Sequence, residues 1–240
     1  MARPSEAAGG FDNRLNGHGL GADVPMRGLI DAIWPLSVES GLSRAYRRAL
    51  SRHGATPQGV FWNSSKSQTT RFAALLGTVA DHAGRRNPSI ADIGCGYGPM
   101  LDYMRDRPQY RGWQYAGIDI TRAMIAEARR RHPQDAAIFA VGKLPPGRVD
   151  YAVFSGTFNL CLIDDPDRWQ RYILNALAAC WLRCRHGMAL NLLCRRETTI
   201  EASIFYAVEA DMTAALRRFG RVEAAPTRGL KHDVTFLVTR

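Results

Sequence analysis

The sequence predicts an α/β fold built on a doubly wound, seven-stranded sheet, parallel except for one strand of a C-terminal antiparallel hairpin and preceded by a helical cap. Three observations carry that expectation. From Asn87 onward, short apolar strands alternate with helical segments, which is how parallel strands joined by crossover helices read in sequence. A glycine turn, Gly94-Cys95-Gly96-Tyr97-Gly98, joins the first of these strands to a helix start at Pro99. The last two strands are separated by about eight residues, too few for a crossover, so they pair as a hairpin.

The elements follow in order. Residues 1–25 are rich in Gly, Ala and polar residues and read as a loose tail. Residues 26–85 read as the helical cap: the pattern turns helical from about Leu29 to His53, and Phe72, Leu75, Leu76, Val79 and Ala80 then repeat at helical spacing. Residues 86–240 read as the core. Strands are expected near Ser89 to Gly94, Gln114 to Asp119, Ala137 to Val141, Asp150 to Ser155 and Met188 to Leu193, with helices starting near Pro99, Thr121 and Pro166. A further helix is expected from about Ala202 to Phe219, then the hairpin strands Val222 to Ala225 and Val234 to Thr239.

Composition narrows the class. The chain is 240 residues long and 46% hydrophobic, enough for a packed core. No stretch approaches the roughly 20 apolar residues of a membrane helix, so no membrane partner is expected. The N-terminus lacks the apolar segment of a secretory signal, and five cysteines, an odd number, suit a reducing compartment, so the expected location is cytoplasmic. The net charge of +10 raises nucleic acid as a partner. Only three of the 32 basic residues are lysine, and the arginines fall in short groups along the chain, as solvated helix faces do.

The segment Ile90-Ala91-Asp92-Ile93-Gly94-Cys95-Gly96-Tyr97-Gly98-Pro99 is a buried strand, a glycine turn and a helix start in succession. Such a turn needs positive φ and lets backbone approach a ligand closely. A dinucleotide fingerprint would place its third glycine where this chain has Pro99 or Leu101, so a dehydrogenase is disfavoured. Asp119 ends the second strand about 20 residues after the turn, the distance at which an acid accepts hydrogen bonds from ribose hydroxyls.

With acid, Gly, Gly, Gly at Asp92, Gly94, Gly96 and Gly98, and Asp119 beyond, the chain resembles the class I S-adenosylmethionine-dependent methyltransferases, closest in type to bacterial small-molecule members. The resemblance implies a Rossmann-like sheet and S-adenosyl-L-methionine as cofactor. It also implies a cofactor site made of Asp92, Gly94, Cys95, Gly96, Gly98, Asp119, Ile120, Gly142, Lys143 and Ser155. Many members carry an acid beside the glycine after the third strand, where this chain has Lys143. Gln68 and Arg71, in a segment that closes over the cofactor in several small-molecule enzymes, are added as cofactor contacts, since Arg suits a carboxylate.

The acceptor type is expected to show after the fourth strand, at Ser155-Gly156-Thr157-Phe158-Asn159. This run matches neither the loop of amide and adenine N-methyltransferases nor the proline-flanked cysteine of cytosine enzymes, which leaves an oxygen or nitrogen of a small molecule. Because the final strand runs antiparallel, its start returns to the edge of the sheet that carries the glycine turn. His232 becomes a candidate base there, with Asn159 as a second catalytic candidate. A cavity bounded by Trp62, Phe158, Asn159 and His232 is expected. Cys180, Cys184 and His186 suggest zinc, but the two thiols fall on the apolar stripe of a helix and read as core, so no metal is expected. The expected function is methyl transfer to a small molecule by a monomer or homodimer. RNA or protein methylation, and a cofactor-binding regulator without catalysis, are the alternatives.

Overall fold

The computed structural model describes residues 26–240, with side chains from residue 36 onward; the tail expected at 1–25 lies outside the described residues. Seven strands form the main sheet: β1 (Ser89–Ile93), β2 (Gln114–Asp119), β3 (Phe139–Val141), β4 (Val149–Phe154), β5 (Cys184–Leu193), and the hairpin β8 (Arg221–Pro226) and β9 (Asp233–Thr239). Their order is β3-β2-β1-β4-β5-β9-β8, and only β9 runs against the rest. The chain therefore starts at the centre, winds outward through β2 and β3, and crosses back to β4 beside β1. That reversal opens a crevice at the carboxyl ends of β1 and β4, where open α/β sheets bind ligands.

Helices cover both faces. On one, α2 (Ser65–Ala83) and α3 (Pro99–Arg105) bury Phe72, Leu75, Leu76, Met100 and Met104 against Ile90, Tyr151, Val153 and Leu237. On the other, α5 (Pro166–Trp181) and α6 (Glu209–Leu216) bury Trp169, Ile173, Leu177, Met212 and Leu216 against Phe154, Leu190 and Phe236. Caps set their starts: Ser64 Oγ accepts from Ser67 N at 3.1 Å, and Asp165 Oδ1 accepts from Arg168 N at 2.8 Å with Pro166 following. Beyond β2, α4 (Arg122–Arg131) packs Ile125 and Ala128 against Cys95 and Phe139. The edge at β3 is covered too, because Arg129 donates to the Phe139 carbonyl at 2.6 and 3.2 Å.

Two elements differ from expectation. The helix expected from Ala202 begins only at Glu209, and ahead of it lies a small hairpin, β6 (Thr199–Glu201) and β7 (Ile204–Tyr206). Its two-residue turn is Ala202 and Ser203, at φ 49° and 62°. Such a turn normally announces itself by Asn-Gly or Asp-Gly, so Ala-Ser gave no signal. The second difference concerns the helices before the core. Side chains over the strand ends come from α1 (Met26–His53) and from Val60 and Trp62 after it, whereas α2 lies on the sheet face as part of the layered core.

Close packing around β2 generates a test. A Cβ on Gly117 would stand 2.6 Å from Phe139 Cδ1 and 3.1 Å from Cys95 Sγ. Gly117→Ala is expected to cost about 1–3 kcal/mol by overpacking, read from the denaturant midpoint, with Phe139→Leu in the same chain restoring part of it. An unchanged midpoint for the single variant would show that the contact is looser than described.

Candidate cofactor and acceptor site

The crevice at the switch point is a cavity of about 570 Å³. Its floor is the turn after β1, where Gly94 and Gly96 take φ of 82° and 56°. Gly94 leaves no room for a side chain, since a Cβ there would lie 2.8 Å from Thr157 Cγ2. The turn is tied to β2: Gly94 N and Cys95 N both donate to the Ile118 carbonyl, at 2.7 and 3.0 Å. Asp119 completes the tie, accepting from Gly96 N at 3.0 Å through Oδ2 and from Thr121 N at 2.7 Å through Oδ1. Burial raises the Asp119 pKa above the ordinary carboxylate value, while those two N–H bonds pull it back.

Around this floor stand walls from several elements. Ile120 and the run Gly142-Lys143-Leu144 close one end, Ser155 to Phe158 after β4 close another, Trp62 lies over Gly156, and α1 contributes Glu39, Leu42 and Tyr46. The face of α5 at 168, 171, 172, 175, 176 and 179 completes the enclosure. Lys143 Nζ pairs with Glu39 Oε1 at 2.9 Å, so the residue that departs from the family pattern latches α1 to the loop after β3. The Tyr46 hydroxyl has its pKa raised by burial and by the negative charge of Asp119.

Of the residues singled out in the sequence, Gly94, Gly96, Asp119, Ile120, Gly142, Lys143 and Ser155 line the cavity. Asp92 sits one layer behind it, 2% exposed, where Oδ2 accepts from the Tyr115 hydroxyl at 2.8 Å. Cys95 points into the core beside Gly117 and Phe139, and Gly98 caps α3 against Phe139 and His132. Gln68 is buried and bonded to the Tyr97 hydroxyl. Arg71 pairs with Asp233, its guanidinium carbon 4.3 Å from the Trp62 ring centre.

The two catalytic candidates stand apart from the cavity. Asn159 is buried and holds the loop after β4 to β5, its Oδ1 accepting from Leu193 N at 3.4 Å. His232 is exposed at φ 64° and meets Tyr206 edge-on at 6.4 Å. The antiparallel topology did bring His232 to the right edge of the sheet, but its side chain faces β7, which the sequence did not show. Of the four residues expected to bound the cavity, Trp62 and Phe158 do and these two do not.

Sequence reasoning missed Tyr46, Glu39 and the α5 face. For α5 a signal existed: 168, 171, 172, 175, 176 and 179 repeat at helical spacing beside the apolar stripe Trp169, Ile173 and Leu177. The cysteines are buried, and burial raises the Cys180 thiol to about 12 and the Cys184 thiol to about 11.

A sheet of this order with a glycine turn at its switch point is the Rossmann-like fold of the class I S-adenosylmethionine-dependent methyltransferases, and residues 91–179 match a family model described as a methyltransferase domain. A Mycobacterium tuberculosis protein named provisionally as a methyltransferase is 35% identical over 108 residues, 44% of this chain and 63% of that protein. The match thus spans under two thirds of that relative. A Leishmania major S-adenosylmethionine-dependent methyltransferase superposes with a TM-score of 0.61 at 15% identity, covering 89% of this chain and 90% of its own. Burkholderia thailandensis 1,6-didemethyltoxoflavin-N1-methyltransferase, solved with 1,6-didemethyltoxoflavin and S-adenosylhomocysteine, gives 0.56 at 14% identity over 87% and 89%.

Asp92 makes the site sensitive to pH. Its pKa is pushed up to about 7, chiefly by burial and further by the charge of Asp119, against the opposing Tyr115 hydrogen bond. A carboxyl raised in the folded state contributes stability fully below its ordinary value of 3.8 and loses that contribution as pH rises through about 7. The ligand-free protein is expected to melt lower at about pH 8 than at about pH 5, with Asp92→Asn flattening the difference. Equal slopes in the two proteins would remove Asp92 as the cause.

Proposed function

We propose that the chain binds S-adenosyl-L-methionine in this cavity and transfers its methyl group to an oxygen or nitrogen of a small molecule bound beside it. One observation carries this: a carboxylate, Asp119, is hydrogen-bonded to the middle of a glycine turn at the floor of an enclosed, aromatic-walled cavity. A carboxylate has about four lone-pair sites, and two are taken by Gly96 N and Thr121 N, which leaves capacity for a pair of ribose hydroxyls. Ile120 and Leu144 supply apolar surface for a base at the same end. Gly94 and Gly96 let the chain between nucleoside and methionine lie against backbone. Ser155, which lines the cavity with its hydroxyl buried and unpartnered, is suited to the polar end of the methionine.

When bound, the cofactor supplies a methyl group on a positively charged sulfur. The protein then has to align an acceptor lone pair with the methyl–sulfur axis and exclude water; alignment of this kind is worth roughly 7–11 kcal/mol of barrier. Tyr46, Trp62, Phe158 and Tyr172 enclose the space where an acceptor would lie, which favours a small molecule over a polymer. Asp92, Cys95 and Gly98 support the turn from behind, while Gln68 and Arg71 are assigned to the methionine end. His232 and Asn159 take no part in this assignment, and the acceptor's proton leaves to solvent or to a group on the acceptor itself. No described helix is long and apolar enough to cross a membrane.

The test is transfer of labelled methyl from S-adenosylmethionine to small-molecule fractions. Wild type is expected to label a low-molecular-mass product. Asp119→Asn is expected to bind S-adenosylhomocysteine about 10–150-fold more weakly, the range for a hydrogen bond to a charged group. Label appearing only in RNA or protein would overturn the choice of acceptor.

A further inference from the structure

The buried floor beneath Trp62 is only half satisfied. Ser155 follows Phe154, whose partner on β5 is Leu190, so Ser155 stands beside Asn191. Across the antiparallel pair Asn191 faces Thr235 and Leu193 faces Asp233, which puts Asn191 and Asp233 on one face of the sheet, the face that α2 covers. Each of the three keeps one buried polar atom without a hydrogen bond: Ser155 Oγ, Asn191 Nδ2 and Asp233 Oδ1. Buried polar groups are nearly always paired, so a row of three marks a place shaped for something polar.

Arg71 roofs the row. It donates Nε to Asp233 Oδ2, and its two terminal nitrogens have no hydrogen-bond partner among the described residues. Its side chain is only 13% exposed and that of Asp233 0%. A guanidinium this enclosed, with its terminal edge open, matches a carboxylate by two parallel hydrogen bonds. Trp62 links this group to the cavity. The Arg71 guanidinium lies on one part of its ring, while Gly156 meets another, where a Cβ would come 2.8 Å from Cζ2. Ser155, Gly156 and Trp62 line the cavity, while Asn191, Asp233 and Arg71 stand directly behind them, so the row meets the cavity at Ser155 and at the indole.

We propose that Asp233, at the start of the terminal hairpin, is a positioning residue for the amino-acid end of the cofactor. By fixing Arg71 over Trp62 it presents an open guanidinium edge to the α-carboxylate, with Ser155 Oγ beside the α-ammonium. This rests on the cofactor assigned above. The consequence is selective: a nucleoside lacking the amino-acid end should be indifferent to Asp233, because it never reaches Arg71.

The experiment compares two ligands by calorimetry, S-adenosylhomocysteine and 5′-methylthioadenosine, the second lacking the amino-acid end. For Asp233→Asn, affinity for S-adenosylhomocysteine is expected to fall about tenfold or more while that for methylthioadenosine changes by less than about twofold. Arg71→Gln should give the same split, and it carries the comparison if Asp233→Asn does not fold. The fluorescence change that S-adenosylhomocysteine causes through Trp62, identified by its loss in Trp62→Phe, should also be absent in Asp233→Asn. A parallel loss of both ligands would overturn the proposal in favour of a merely structural role, and so would no loss of either. Failure of wild type to bind either nucleoside would overturn it differently, by removing the cofactor assignment itself.

Discussion

The site depends on one hydrogen bond, from the backbone N–H of Gly96 to the carboxylate of Asp119. It joins the turn after β1 to the end of β2 and so converts two neighbouring strands into a single shaped edge. Without the carboxylate the turn would leave a buried N–H unpaired, and without the turn's positive φ the N–H would not face β2. Burial of Asp119 at 9% exposure works against its charge, and two backbone donors offset that cost. A carboxylate fixed in this way is a rigid acceptor whose geometry is set before any ligand arrives.

Rigidity spreads from there by packing. Gly117 admits Phe139 to contact distance, Phe139 backs Gly98, and Gly98 caps α3, so the turn is braced on the side away from the cavity. Toward the cavity, Thr157 Oγ1 donates to the Ile93 carbonyl at 2.6 Å and Gly156 N donates to Asn191 Oδ1 at 2.7 Å. The loops after β1 and β4 are thereby held to each other and to β5. On the outer side α1 is latched by the pair of Glu39 and Lys143, whose side chains are 15% and 54% exposed, and Trp62 is held between Arg71 and Gly156. Glu39 also accepts from the Tyr172 hydroxyl at 3.4 Å, so α1 and α5 meet at the same carboxylate.

Much of this was legible in the sequence, for reasons that can be named. Strands β1 to β5 are apolar runs bounded by turn residues, and all five appear close to the places expected. Asp92, the glycines and Asp119 were legible because each needs a residue type that few other demands explain. The β6–β7 hairpin was not, because Ala202 and Ser203 adopt positive φ without glycine or asparagine to announce it. That hairpin also decides the surroundings of His232 and Asn159: Tyr206 meets the first, and Phe205 N donates to the carbonyl of the second at 2.8 Å. Long-range pairings stayed hidden as well. Asp233 and Arg71 are 162 positions apart, and neither carries a local pattern pointing to the other.

The account stands on a nucleoside lying between Asp119 and the apolar pair Ile120 and Leu144, with its sulfur over the glycine turn. A crystal structure grown with S-adenosylhomocysteine measures this most directly. The expected result is both ribose hydroxyls within hydrogen-bonding distance of the Asp119 carboxylate, and the ligand's sulfur facing the aromatic space between Tyr46 and Phe158. Density for the ligand elsewhere on the protein, or a ribose turned away from Asp119, would contradict it.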